Sequence, residues 1–233
     1  MATWDPIWAD DSYSNSELRR LKAKKKVDLF SEFLELNSEN ICVDIGCGGG
    51  FVSAEIQKRF KCKIIGFDVS EEAIKLARKE NAVNNSDYRI SSAEKLPLPD
   101  QSVDAVLCIG VLEHIVDFND ALTEIYRILK PQGKLVVITS NLYSLMYFDR
   151  IIKQLFGIWK YGYQKNWSPR QIKHLLNNTG FHIICKSVFQ GFGDFNNKNR
   201  IDTLLNRIIN SWGRYILLLG EKQDEGNNNQ YSK

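Results

Sequence analysis

No run of apolar residues in this chain approaches the roughly 20 residues that an α-helix needs to cross a bilayer, so membrane insertion is not expected. The start, Met1-Ala2-Thr3-Trp4-Asp5-Pro6, lacks the basic stretch leading into an apolar one that marks a secretory leader. The five cysteines (Cys42, Cys47, Cys62, Cys108 and Cys185) form no C-x-x-C pair. They fall mostly in apolar stretches and read as buried thiols in a reducing compartment, not as disulfides or a zinc site. The expected location is the cytoplasm. Charge of one sign is scarce too: a formal net charge of +3 is too small to demand nucleic acid or a membrane surface as partner. Internal repeats are absent. What remains is a globular composition, 43% hydrophobic and 25% charged, in 233 residues, enough for one α/β domain with a modest insertion.

The glycines carry the most information. Ile41-Cys42-Val43-Asp44-Ile45 reads as a buried strand, Gly46-Cys47-Gly48-Gly49-Gly50 as a turn, and residues from about Phe51 to Phe60 as a helix. A second strand, Lys63–Phe67, then runs to Asp68. This is a βαβ unit with glycines where backbone must approach a ligand, and an acid placed to accept from ribose hydroxyls. A dinucleotide fingerprint beginning at Gly46 would need glycine at position 51, where helix and strand pack closely. Phe51 stands there instead.

Further strands are expected at Tyr88–Ile90, Ala105–Ile109 and Lys134–Thr139, alternating with helical patterns as in a parallel sheet with crossover helices. Ser168-Pro169 is a strong helix start, hydroxyl cap then proline, and Phe181–Phe189 and Arg214–Glu221 read as a closing antiparallel pair. Three parts follow: a helical arm or lid over residues 1–40, with a helix from about Ser16 to Glu35; a main domain over 41–222; and a polar, disordered tail over 223–233. Within the main domain, residues 141–167 form an aromatic and basic insertion.

D-x-G-x-G-G-G with a later strand-end acid resembles motif I and its partner in class I S-adenosylmethionine-dependent methyltransferases. Three more stretches match in order. Ser92-Ala93-Glu94-Lys95-Leu96-Pro97 is similar to the family's adenine-wrapping loop, and Val111-Leu112-Glu113-His114-Ile115 resembles its "LEH" segment after strand four. Arg127-Ile128-Leu129-Lys130-Pro131-Gln132-Gly133 resembles its turn into strand five, with Gln132 in place of the first glycine. The resemblance implies a Rossmann-like, doubly wound α/β fold: a mostly parallel seven-stranded sheet with an antiparallel last strand. It implies S-adenosylmethionine as cofactor. Within the family the chain is broadly similar to bacterial small-molecule methyltransferases, a group that includes the ubiquinone and menaquinone enzymes.

The same resemblance assigns cofactor contacts. Gly46, Gly48 and Gly49 let backbone lie against the methionine and ribose portions, with Cys47 in the same loop. Asp44 holds either the cofactor's ammonium or the loop itself, or serves as a plain turn acid. Asp68 accepts from both ribose hydroxyls, a two-point contact suited to a carboxylate, or is a strand-end turn residue. Val69, Ser92, Ala93, Glu94 and Ile109 complete the wall. Ser92 stands where many relatives carry aspartate, which shifts weight to the backbone of Ala93 and Glu94.

His114 lies at the expected mouth of the site, where an imidazole of ordinary pKa, about 6.5, can take a proton from an acceptor. The competing reading makes "LEH" a scaffold, with His114 packed beneath the cofactor. No metal is expected, because Gly110 and Ile115 do not supply the further acid and histidine that related RNA-end enzymes use. Asn141, immediately after strand five, is placed to touch the acceptor, since ligands of open α/β sheets bind beyond the strand carboxyl ends. The aromatic insertion would wall a small substrate or cap the domain. Arg19, Lys22 and Lys26 share a helix face and read as a solvated surface or as a phosphate-binding stripe. Trp4 and Trp8 suggest a lid, or an anchor for the arm. The expected activity is methyl transfer to an oxygen or nitrogen of a small molecule. A tRNA or RNA methyltransferase is the runner-up, and a catalytically silent cofactor-binding module the reading from another class.

Overall fold

The computed structural model describes residues 4–9, 16–82, 85–189 and 211–223. Seven strands form one sheet in the order β3-β2-β1-β4-β5-β7-β6. They are β1 (Ile41–Ile45), β2 (Lys63–Asp68), β3 (Ser86–Ile90), β4 (Val103–Ile109), β5 (Leu129–Ser140), β6 (Phe181–Phe189) and β7 (Tyr215–Lys222). Only β7 runs against its neighbours, pairing antiparallel with both β5 and β6. This is the expected doubly wound sheet with an antiparallel last strand.

The central strands are buried on both faces, so their residues divide by parity between two cores. Val43, Ile45, Val106, Cys108, Leu135 and Val137 face one layer, where Leu122, Ile125, Ile172 and Leu176 cover them. Those four come from α5 (Phe118–Ile128) and α7 (Pro169–Asn178). Cys42, Ala105, Leu107, Val136 and Ile138 face the other, covered by Val27, Phe30, Leu34 and Ile56. Here the cover is α2 (Ser16–Asp28), the turn after it and α3 (Phe51–Phe60). This two-sided burial makes parallel strands read as near-continuous apolar runs. Cys42, Cys47, Cys62 and Cys108 are buried free thiols and Cys185 is half-buried.

The helix expected from Ser16 to Glu35 stops at Asp28 and resumes as a 3-10 turn, Ser31–Phe33. Phe30 and Leu34, on either side of this turn, are both buried in the sheet-facing core. Strand β5 begins earlier than expected. Lys130 anchors its start on Asp104 (2.7 Å), and Gln132 adopts a left-handed φ of +61° in the turn where relatives carry glycine. Helix α7 has the full capping box, with Ser168 accepting from the Gln171 N–H and the Gln171 side chain returning to the Ser168 N–H. Among the described residues no helix is long and apolar enough to cross a membrane. The tail expected from residue 223 lies, from residue 224 on, outside the described residues.

Candidate active site

The carboxyl ends of β1, β2 and β4 meet at the glycine turn. Two glycines there are obligatory. Gly46 has φ +63°, and a Cβ on it would come within 2.2 Å of Val111 Cγ2. Gly48 has φ +53°, and a Cβ there would fall 2.4 Å from the Trp8 ring. The second contact comes from α1 (Asp5–Trp8), a short helix of the arm that lies on the turn as a lid would. Asp5 fastens it by accepting from the Ser70 hydroxyl (2.5 Å) and the Glu72 N–H (3.4 Å) at the start of α4 (Glu71–Glu80).

Behind the turn lies a cavity of about 570 Å³. Asp44, Gly46, Cys47, Gly48, Gly49 and Ile109 line it, as do Trp4 and Trp8 from the arm. Asp68, Val69, Ser92, Ala93 and Glu94 are not among its lining residues. Arg19, Lys22 and Lys26 also line the cavity, so the basic face of α2 looks inward rather than only to solvent. Burial lowers the Lys26 ammonium pKa, opposed by the charges of Asp44 and Glu113. Three cations over one deep carboxylate make this space fit for a ligand end bearing both an anion and an ammonium, as a free amino acid does. A Cβ on Gly110, which also lines the cavity, would meet nothing within 4 Å.

Asp44 is buried at the end of β1 and accepts from Ser53 Oγ in the first turn of α3 (2.6 Å). Burial pushes its carboxyl up to about 6, against the Ser53 hydrogen bond and the charge of Lys26, which both favour the ionised form. Asp68 accepts from the Gly48 N–H (2.8 Å) through one oxygen and from the Ser70 N–H (2.9 Å) through the other. It therefore braces the turn. Burial raises its pKa. An ionised carboxylate has about four acceptor positions, so two remain for ribose hydroxyls.

The loop after β3 is clamped from α5. Arg127 donates to the carbonyls of Leu98 (2.9 Å) and Leu96 (3.3 Å) and pairs with Asp100, while Glu124 accepts from the Leu96 N–H (2.7 Å). The arginine of the strand-five turn motif thus acts at a distance, fixing the stretch that follows Ser92, Ala93 and Glu94. Asn81 closes the other side. Its amide donates to the Gly49 carbonyl (2.6 Å) and accepts from Arg20 of α2 (3.0 Å).

Glu113 is a staple: it accepts from Thr139 Oγ1 (2.8 Å) and Ser140 Oγ (2.9 Å), tying the "LEH" segment to the end of β5. His114 is half-buried, with Nδ1 2.9 Å from the Tyr163 carbonyl. A carbonyl only accepts, so in the neutral ring Nδ1 carries the hydrogen and Nε2 is the acceptor. Trp4 packs edge-on against the imidazole at 4.8 Å, and Tyr161 and Trp159 of the insertion extend the aromatic cluster.

Asn141 requires a correction. Its side chain is fully buried and spent on backbone: Nδ2 donates to Gly213 (2.7 Å) and Ser211 (2.8 Å), and Oδ1 accepts from the Tyr143 N–H (3.1 Å). It latches the insertion to the start of β7, with both amide hydrogens given to backbone carbonyls and no surface exposed. Replacing Asn141 with alanine is expected to cost about 1–3 kcal/mol by stranding buried carbonyls. Urea unfolding would show this as a lower midpoint at unchanged slope. Lost turnover at unchanged stability would return Asn141 to the acceptor.

Sequence reasoning singled out Lys26 but did not place it at the cavity, and it missed Arg20, Asn81 and Asp5. A signal existed for the first: Lys22 and Lys26 flank Ala23 and Val27, both buried, so the basic face borders the packed one. Nothing in the local pattern marks the other three.

Comparison with known proteins agrees with this geometry. Residues 43–137 match a family model described as a methyltransferase domain. A ubiquinone biosynthesis O-methyltransferase of Bartonella tribocorum is 32% identical over 149 residues, which cover 61% of this chain and 60% of that protein. One from Nitrosomonas europaea is 27% identical over 188 residues, 76% of each. The match to the Bartonella protein spans less than two thirds of its length. The methyltransferase in a Haloferax volcanii complex with the activator Trm112 superposes with a TM-score of 0.75 at 19% identity, covering 96% of this chain and 99% of that one, which shows the shared fold. Residues 43–137 thus match a methyltransferase domain, and the chain resembles class I S-adenosylmethionine-dependent methyltransferases, the ubiquinone-biosynthesis enzymes among them.

Proposed function

We propose that this protein transfers a methyl group from S-adenosylmethionine to a hydroxyl oxygen of a small, hydroxylated aromatic acceptor. The observation that carries the reading is His114, held through Nδ1 so that Nε2 is its proton acceptor, beside an aromatic wall at the end of β4. The cofactor, when bound, supplies an electrophilic methyl on a sulfonium. The protein's part is to position the acceptor, exclude water and take a proton. Lys26 pairs with the carboxylate of the methionine end, Asp44 faces its ammonium, and Asp68 accepts from the ribose. Trp4 and Tyr161 flank the acceptor and keep water out, and Nε2 of His114 takes the hydroxyl proton. The names of the relatives, ubiquinone biosynthesis O-methyltransferases, favour oxygen over nitrogen.

The test is methyl transfer from labelled cofactor to a panel of catechols and phenols, with aromatic amines and bulk tRNA alongside. Label on a catechol supports the reading. Label on tRNA alone, with activity falling steeply with salt, would replace it with the phosphate-binding alternative. Cofactor binding without transfer to any acceptor would support the silent module.

The Lys26 assignment has its own readout. Lys26→Gln should weaken S-adenosylhomocysteine about tenfold to hundredfold, the scale of a lost hydrogen bond to a charged group. It should leave methylthioadenosine, which lacks the amino-acid end, unaffected. Calorimetry showing equal losses for both ligands would remove Lys26 from the carboxylate.

A further inference from the structure

Helix α2 supplies one wall of the cavity, through Leu18, Arg19, Lys22 and Lys26. Its two halves are held differently. Ala23 and Val27 are its buried residues, so the apolar packing that fixes a helix to a core begins only midway along it. The second half is also pinned by Arg59 of α3, which donates to the Lys24 carbonyl (3.4 Å) and pairs with Asp28 (2.5 Å). In the first half Leu18 and Leu21 are 44% and 47% exposed. This is the half that carries Arg19 and Lys22.

The first half is fastened by polar contacts. Arg20 donates to the Asn81 side chain (3.0 Å) and to the Glu80 carbonyl (2.9 Å) at the end of α4. Its guanidinium lies 5.7 Å from the centre of the Phe51 ring, and that of Arg19 lies 5.5 Å from the same ring. Phe51, which stands where a dinucleotide fingerprint would place glycine, thus gives both arginines an aromatic face to rest on. The insertion uses a similar device: in α6 (Leu145–Leu155) the buried residue is Arg150, which donates to the Gln164 carbonyl (2.6 Å).

Asn81 is a fixed point. It is 1% exposed, and its polar groups are all used. The main-chain N–H donates to Ala77 (2.9 Å) and the main-chain carbonyl accepts from the Tyr88 hydroxyl (3.1 Å). Side-chain Nδ2 donates to the Gly49 carbonyl (2.6 Å), and Oδ1 accepts from Arg20. A buried amide satisfied at both ends is stiff. With its nitrogen it holds the glycine turn, and with its oxygen it holds the thinly packed half of α2.

We propose that Asn81 is a positioning residue for the cofactor: through Arg20 it sets the distance between the cationic wall of α2 and the glycine turn, and with it the fit of the cofactor's amino-acid end. Arg19 is the neighbour of Arg20 in sequence and Lys22 follows two residues on, so release of the contact moves that wall first. The ribose acid Asp68 is held by the N–H groups of Gly48 and Ser70, not by Asn81, so the adenosine end should be indifferent to the change. The inference rests on the reading that α2 faces the amino-acid end of the cofactor.

The experiment compares S-adenosylhomocysteine with methylthioadenosine, which lacks the amino-acid end, by calorimetry. The proteins are the parent, Arg20→Ala, Asn81→Ala and the double variant. Arg20→Ala decides if Asn81→Ala fails to fold, because the Arg20 side chain is half-exposed and its loss leaves the core intact. Arg20→Ala is expected to weaken S-adenosylhomocysteine about tenfold and methylthioadenosine by less than about twofold, the scale of one hydrogen bond to a charged group. Asn81→Ala should show at least the same selective loss. The double variant should lose no more than Asn81→Ala alone, because both side chains act through one contact. Equal losses for the two ligands make the contact structural and overturn the proposal, as does an Arg20→Ala variant that binds S-adenosylhomocysteine like the parent. A double variant whose loss is the sum of the singles overturns it too. Lys26→Gln separates this failure from that of the underlying reading. If Lys26→Gln discriminates between the ligands and Arg20→Ala does not, the positioning role alone falls. If neither discriminates, the amino-acid end does not lie against α2 and both fall.

Discussion

His114→Ala is expected to lower turnover on a hydroxyl acceptor about 10²–10⁴-fold, the range for removal of a general base. Cofactor affinity should change little, because the glycine turn, Asp68 and Lys26 lie on other elements. One confounder is built into the fold. The imidazole also holds the Tyr163 carbonyl and seats Trp4, so its removal disturbs the wall as well as the chemistry. His114→Asn separates the two effects. An asparagine amide places an N–H near the position of Nδ1 and can keep the Tyr163 bond, but it has no basic nitrogen. If His114 is the base, the asparagine variant is as slow as the alanine variant. If it regains turnover, the residue positions the wall and the proton leaves by another route.

Asp44→Asn should make the cofactor-free protein more stable at neutral pH while weakening cofactor binding. The folded protein holds this carboxyl at about 6, above its ordinary value of 3.8, chiefly because it is buried. A group whose folded pKa is raised binds its proton more tightly in the folded state. Its contribution to stability is fully present below the ordinary value and is lost as pH rises through the folded one. Ionised Asp44 therefore costs stability at pH 7. A shift of about two units corresponds to about 3 kcal/mol. The amide also withdraws the charge that favours the Lys26 ammonium, which takes back part of the gain, so a net increase of about 1–3 kcal/mol is expected. The parent should gain stability between pH 7 and pH 4, and Asp44→Asn should show a flatter profile. Thermal unfolding across that window checks it. A variant less stable than the parent at pH 7 would mean that Asp44 supports the fold through Ser53 and carries no strain for the ligand. Weakened binding alongside raised stability is the signature of a group kept for function.

Much of the fold could be read because the informative signals were local. The run Ile41–Ile45 is buried on both faces, the glycines punctuate it, and Phe51–Phe60 follows with the bounds expected. The same holds for Phe181–Phe189 and the capped helix after Ser168. The errors came where a residue's role is set by a distant partner. Asn141 sits where strand-end logic puts an acceptor contact, yet the carbonyls of Ser211 and Gly213 take its amide across some 70 positions of chain. The basic face of α2 looked solvated because charge usually is, and its border with the buried Ala23 and Val27 was the one local sign that it faces inward.

The tether from Arg20 through Asn81 to the Gly49 carbonyl has a consequence for modularity. The stretch that carries the family signature, residues 43–137, is not the stretch that forms the pocket. One wall comes from Trp8, Arg19 and Lys26, upstream of it, and the carbonyl that sets the tautomer of His114 comes from Tyr163, downstream. A transplant cut to the signature would keep every recognisable motif and lose the cations, the arm over the turn and the contact that orients the His114 ring. Grafting this chemistry onto another scaffold would require the flanks to travel with the motifs. Divergence among relatives can likewise run through those flanks while the signature stays readable, so specificity can drift where motif searches see nothing.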